Sequence, residues 1–171
     1  CAALRRTDSV KVLVLGARGM LGQDLTKILA PEYEVIPWDL AEMDITREKE
    51  TAEKITKVRP RVIINCAAYT NVDQCETHRE QAFLVNAEGT KHVALASNKV
   101  QARLVHLSTD YVFDGTASTP YRETDSPNPM SVYGQSKLQG EIYIGQIGGD
   151  YLIIRTAWLY GRRGRNFVEA I

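Results

Sequence analysis

The segment SVYGQSK, residues 131–137, sets Tyr133 four residues before Lys137. On a helix, positions i and i+4 share a face. An ammonium beside a phenol favours the phenolate and lowers the phenol pKa from about 10. A tyrosine held this way can give a proton to a carbonyl oxygen as hydride arrives, then recover it. The lysine can also hold the hydroxyls of a nicotinamide ribose. A hydroxyl from Ser108 or Thr109, in the stretch HLSTD, can donate a second hydrogen bond to the same oxygen. Alone, the Tyr–Lys spacing is equally at home as a polar pair on a surface helix. The residues upstream decide between the two.

Upstream, VLGARGMLG places glycines at 16, 19 and 22. The spacing is G-x-x-G-x-x-G, a variant of the usual dinucleotide fingerprint, but it answers the same demands. The turn must be tight, the backbone must approach a pyrophosphate, and the helix must begin with free N–H groups aimed at the anion. The motif follows an apolar run and opens a helical pattern, as that use requires. Asp39 lies about 20 residues on, where a carboxylate accepts bonds from adenosine ribose hydroxyls and favours NADH. Arg18, in the turn itself, argues for NADPH, because it could pair with a 2′-phosphate. Asp44, in MDIT, is a second acidic candidate near the adenine. Ala67 and Ala68 are small enough to let a cofactor lie against the backbone. The same two residues would equally suit tight helix–strand packing.

The elements that must position these groups alternate. VKVLVLG (10–16) reads as a strand buried on both faces. MLGQDLTKILA follows as a helix. YEVIPWD (33–39), RVIINCAA (61–68), ARLVHLSTD (102–110) and YLIIRTAWLYG (151–161) read as further strands, the last with its exit. TREKETAEKITKVRP is a charged helix with Thr46 as its expected N-cap and Pro60 beyond its end. Residues 80–100 are helical, with Asn86 awkwardly inside and expected to bond a neighbouring loop. A polar loop runs over 115–129, before the helix of Tyr133 and Lys137. Strand–helix alternation predicts a Rossmann-like, doubly wound parallel α/β sheet. His106, mid-strand, reads as a satisfied buried histidine.

The 171 residues suit one domain. Residues 1–9 read as a flexible leader and 10–171 as the dinucleotide-binding domain. The chain halts inside the helical pattern NFVEAI, so it reads as the N-terminal part of a longer protein. Lys+Arg and Asp+Glu balance at 21 each, which gives no bulk electrostatic reason to expect nucleic acid or an anionic membrane. No apolar stretch approaches a membrane span. Three cysteines without a C-x-x-C pair fit a reduced, cytoplasmic protein. No ligand spacing suggests a structural metal.

The glycine turn, the strand-end Ser/Thr and Y-x-x-x-K together resemble the extended short-chain dehydrogenase/reductases. More narrowly, NCAAYTNVD, HLSTDYVFDG, VYGQSKLQGE and IIRTAWLYG resemble the dTDP-4-dehydrorhamnose reductase family, from about Val10 onward. That resemblance implies reduction of a 4-keto sugar on a dTDP carrier by NADPH or NADH. It implies Thr109 as the catalytic hydroxyl, with Tyr133 and Lys137 as proton donor and activator. It implies a cofactor site that includes Gly16, Arg18, Gly19, Met20, Leu21, Gly22, Asp39, Asp44, Ile45, Ala67, Ala68, Tyr69 and Thr70. Val72, Thr109, Asp110, Tyr111, Tyr133 and Trp158 would face the sugar nucleotide. Trp158 as a core aromatic and Tyr111 as packing under the loop are the plain alternatives. The resemblance also allows a homodimer. Some family members form magnesium-bridged dimers, with Asp24 at the aligned position, and no metal is assigned here. Family members are longer and carry a smaller substrate region, most of which this chain is expected to lack. Two other activities share much of the motif set: other nucleotide-deoxysugar 4-ketoreductases, and the non-catalytic regulatory subunit of methionine adenosyltransferase.

Overall fold

The computed structural model of the chain describes residues 9–161. Strand β1 (Lys11–Leu15) buries four of its five residues, as its unbroken apolar run requires of a central strand. It is flanked by β2 (Glu34–Trp38) and β3 (Val62–Asn65), then β4 (Arg103–Thr109) and β5 (Tyr151–Thr156). The order is β2-β1-β3-β4-β5, and every pairing is parallel. This is the expected doubly wound sheet. Its order reverses between β1 and β3, the place where such sheets open a ligand crevice at their carboxyl ends.

Alternate residues divide the sheet between two cores. Leu13, Leu15, Ile63 and Leu104 meet Ile55, Val93 and Ile144 on one face. Those partners belong to helices α2 (Glu48–Val58), α5 (Thr90–Lys99) and α6 (Val132–Ile147). Val12 and Val14 point the other way, toward Val62, Ile64 and Leu29 of helix α1 (Met20–Leu29). Two short helices, α3 (Val72–Thr77) and α4 (Arg79–Phe83), link β3 to α5.

Three local expectations change. Thr46 does not cap α2: Arg47 holds the N-cap position without a side-chain bond, and the Thr46 hydroxyl donates instead to Asp44 at 2.7 Å. The loop after β3 contains α3, whose cap Asn71 accepts the Gln74 N–H at 3.0 Å. The expected helix over 80–100 is interrupted by a π-helical turn, Leu84–Gly89, that carries Asn86. The polar loop at 115–129 folds around Asp114, which accepts from Thr116, Tyr121 and Asn128. Those bonds hold its carboxyl well below the usual range. The first eight residues of the expected leader and the helical pattern NFVEAI lie outside the described residues. Among the described residues, no helix is long and apolar enough to cross a membrane.

Candidate active site

The glycine turn joins β1 to α1 at the carboxyl end of the sheet. Gly16 has φ 72°, and a Cβ there would meet the Ala67 nitrogen at 2.7 Å. A Cβ on Gly22 would lie 2.2 Å from the Gly16 carbonyl oxygen. Both positions therefore need glycine. The turn opens directly into α1, whose N-cap Gly19 brings no side chain to cover the first N–H groups.

Two cavities meet over this turn, sharing Gly16, Gly19, Cys66 and Ala68. The first, of about 490 Å³, runs over the end of β2 and is lined by Asp39, Asp44, Ile45, Ala67 and Tyr69 among others. The second, of about 620 Å³, holds Arg18, Met20, Leu21, Gly22, Thr70 and Val72. It continues to Thr109, Asp110, Tyr111, Tyr133, Lys137 and Trp158. Every site residue expected from the sequence thus borders one of two adjoining hollows. Cys66, Trp38 and Met43 line them too. Those three read in sequence as ordinary apolar residues and carried no signal.

At the acidic end, Asp39 accepts the Arg18 N–H and the Leu40 N–H, each at 2.8 Å. The Arg18 guanidinium is not free for a phosphate: it lies 2.7 Å from Glu42. The other Glu42 oxygen accepts the Asp39 N–H at 2.9 Å. Two carboxylates therefore stand together at the end of β2, with Asp39 bordering the first cavity. Glu42 escaped the sequence reading, although it follows Asp39 by only three residues.

At the other end, Ser131 caps α6 by accepting the Gly134 N–H, and Glu76 accepts the Val132 N–H at 2.8 Å. These bonds fix the first turn of α6, which carries Tyr133. The Tyr111 ring stands edge-on to Tyr133, with centroids 5.6 Å apart. Thr109 and Tyr133 border the same cavity, where the Thr109 hydroxyl acts on the phenol while donating to Asp110 at 3.1 Å and accepting the Tyr111 N–H at 3.2 Å. Ser108, the alternative hydroxyl, borders the same cavity but is engaged by Glu141, to which it donates at 2.5 Å. Geometry therefore pairs Thr109, not Ser108, with the phenol.

The electrostatics differ from expectation in one respect. Burial pushes the Tyr133 phenol up, Thr109 only partly opposes it, and Lys137 is not among the largest influences on it. Lys137 is 2% exposed. Its amine donates to the Leu107 carbonyl at 2.6 Å and faces His106 Nε2 at 3.3 Å. Burial brings its pKa down to about 8, against the attraction of Glu141 and Cys66. Glu141 is itself held by Arg155, at 2.6 Å. The half-buried Cys66 thiol is pushed up to about 12 by desolvation and is no nucleophile at neutral pH.

Asn86 performs the expected bonding to a neighbouring loop. Its side chain accepts the Tyr69 N–H at 2.8 Å and donates to the Tyr69 carbonyl and to Ser136, each at 3.0 Å. It thereby ties the crevice wall at Tyr69 to α6.

A family profile described as the RmlD substrate binding domain matches residues 10–171. The chain is 43% identical over 162 residues to a dTDP-4-dehydrorhamnose reductase of Burkholderia thailandensis, a match covering 95% of this chain and 54% of that protein. It is 42% identical over 159 residues to a dTDP-4-keto-6-deoxy-D-glucose reductase of Streptomyces niveus, covering 92% of this chain and 55% of that one. Its fold is similar to the crystal structure of dTDP-4-dehydrorhamnose reductase from Bacillus anthracis in complex with NADP. There the TM-score is 0.93 and the identity 43%, over 96% of this chain and 59% of that one. The chain spans just over half the length of the relatives it matches.

Proposed function

The chain belongs to the RmlD substrate binding domain family, and from that premise we propose that it carries the cofactor site and proton-transfer groups of a nucleotide-sugar reductase. The reaction is NAD(P)H-dependent reduction of the 4-keto group of dTDP-4-dehydro-L-rhamnose to dTDP-L-rhamnose. One observation carries this reading. The two adjoining cavities join the glycine turn and Asp39 at one end to Thr109, Tyr133 and Lys137 at the other.

The residues fit a nicotinamide dinucleotide on the structure's own terms. The turn tolerates no Cβ at Gly16 or Gly22, so its backbone stays open to a pyrophosphate. Asp39 sits at the ribose end and Lys137 borders the reacting end. When bound, the reduced nicotinamide supplies the hydride. The chain supplies the rest. Burial keeps Tyr133 protonated through the neutral range, so the phenol meets the keto oxygen as an acid. Thr109 donates a second bond to that oxygen and offsets the negative charge as it develops. Lys137, one helical turn away, holds a ribose hydroxyl and helps return a proton to Tyr133. Val72, Asp110, Tyr111 and Trp158 line the same hollow and would receive the sugar nucleotide. Asp39 and Glu42 favour NADH; Arg18, once released from Glu42, would favour NADPH.

A second sugar is supported by the similarity to the Streptomyces niveus protein named for a different dTDP-4-keto sugar. Absorbance of NADH and NADPH, followed with enzymatically generated dTDP-4-dehydro-L-rhamnose, tests the assignment. The Burkholderia thailandensis relative serves as the working standard, and the Tyr133→Phe variant is run alongside. Substrate-dependent oxidation that falls by roughly 10²–10⁴-fold in Tyr133→Phe, with cofactor affinity retained, supports the reading. A chain that binds nucleotide yet leaves both dTDP-4-keto sugars untouched, while the standard turns them over, overturns it.

A further inference from the structure

Beneath the proposed site lies a line of buried polar groups that the reduction does not call on. Asn65 and His106 are wholly buried, one at the end of β3 and the other on β4. They are paired residues in the parallel register. The line begins at the Ala67 N–H, which donates to Asn65 Oδ1 at 3.2 Å. Asn65 Nδ2 lies 3.3 Å from His106 Nδ1, and His106 Nε2 lies 3.3 Å from Lys137 Nζ.

A backbone N–H can only donate, and that fixes the polarity of everything after it. Asn65 must turn its oxygen to Ala67 and its NH₂ to His106. His106 Nδ1 must then accept, so its single proton sits on Nε2. That Nε2–H points at Lys137 Nζ, and only an uncharged amine has a lone pair to receive it. An ammonium there sets two donors face to face. Moving the histidine proton to Nδ1 shifts the conflict to Asn65, and turning the amide shifts it to Ala67. No arrangement that keeps Lys137 charged removes it. Lys137 loses no other bond as the amine, since it still donates to the Leu107 carbonyl at 2.6 Å.

We propose that Asn65 and His106 are positioning residues that aim an N–H at the Lys137 amine and so favour its uncharged form. This deepens the reductase reading, on which its catalytic meaning rests: the two residues set the pH at which Lys137 can accept a proton and pass one on. The other titratable or charged groups around Lys137 are Cys66 after β3, Tyr133 and Glu141 on α6, and Arg155 on β5 through Glu141. Burial of Lys137 and His106 acts in the same direction as the donor line. Glu141 and Cys66 oppose it.

The test uses nuclear magnetic resonance on the folded chain, without substrate. The chain has three histidines, so ¹⁵N-labelled His106 is assigned by its loss in His106→Leu. Lys137 is followed through its ¹³Cε shift and assigned by Lys137→Met. The parent should show His106 protonated on Nε2 alone. Asn65→Asp replaces the donor with an acceptor of the same shape. It should move the His106 proton to Nδ1 and raise the Lys137 midpoint by about one pH unit. His106→Leu removes the donor without adding charge and should raise the midpoint in the same sense. It decides the matter if Asn65→Asp does not fold. A parent His106 protonated on Nδ1 or on both nitrogens overturns the proposal. A Lys137 midpoint unmoved or lowered in His106→Leu also overturns it. Reductase activity enters none of these readouts, so failure of the reductase reading would show separately.

Discussion

Replacing Lys137 with methionine keeps the length of the side chain and removes the buried charge, and the effect can be worked out as a function of pH. Folding takes the amine from an ordinary 10.5 to about 8. The folded pKa lies below the unfolded one. Between pH 8 and pH 10.5 the unfolded chain therefore binds more protons, and stability rises with pH. The cost of burying the ammonium is full below pH 8 and gone above 10.5. The gap, 10.5 less 8, is about 2.5 pH units; at about 1.4 kcal/mol each it gives roughly 3.5 kcal/mol. Cys66 works in the opposite sense. Its thiol rises from 9.0 to about 12, so the unfolded chain loses that proton first and stability falls above about pH 9. The measurement accordingly belongs in a Cys66→Ala background. Urea unfolding of Cys66→Ala and of Cys66→Ala/Lys137→Met, taken from pH 7 to pH 10.5, should give curves that approach or cross by roughly 3.5 kcal/mol. The rise should belong to the lysine protein alone. Parallel curves would refute the reasoning, because they would mean that Lys137 titrates in the folded chain as it does in water.

Gly22→Ala places a Cβ 2.2 Å from the Gly16 oxygen; it should weaken NADH and NADPH binding at least tenfold, as read by nucleotide fluorescence titration. Asn86→Ala removes the two-way bond to the Tyr69 backbone and the bond to Ser136, and should cost about 2–3 kcal/mol in urea unfolding. Glu141→Gln leaves Arg155 without its carboxylate and takes an anion from beside Lys137. Unfolding should show a loss of about 2 kcal/mol, reduced from that of a fully buried pair by the exposure of Arg155. The Lys137 midpoint should move down.

What the sequence makes legible is what depends on neighbours along the chain. The apolar run of β1, the glycine spacing and the four-residue step from Tyr133 to Lys137 all declare themselves locally, and β1, the turn and α6 carry them. What escapes depends on register. Asn65 and His106 are 41 positions apart and meet only because β3 pairs with β4 in one particular alignment. Glu141 and Arg155 meet across α6 and β5. Glu42 is close to Asp39, but its double attachment to Arg18 and the Asp39 N–H needs the fold of the turn. Thr46 misled for a local reason: its hydroxyl turns to donate to Asp44, and the N-cap position falls one residue later, at Arg47. Asn71 was a missed signal, since an asparagine three residues before a glutamine is a recognisable helix start.

Helix α6 carries Tyr133, Lys137 and Glu141 at steps of four. Four residues turn a helix by about 400°, which overshoots a full circle by about 40°. The three groups therefore do not form a straight column. They wind about 80° around the axis while climbing about 12 Å. Tyr133 looks into the hollow, Lys137 lies beneath it, and Glu141 meets the helix-covered face of β4 and β5, where Ser108 and Arg155 hold it. The helix acts as a screw thread, leading from a working surface to a charge anchored in the body of the protein. Such a thread has one pitch. A residue inserted or deleted between Tyr133 and Glu141 would turn one end by about 100° against the other. The acid and its buried counterweight would then face different parts of the molecule. Point changes can adjust the strength of each group along this helix, but its length cannot be edited there without dismantling the alignment.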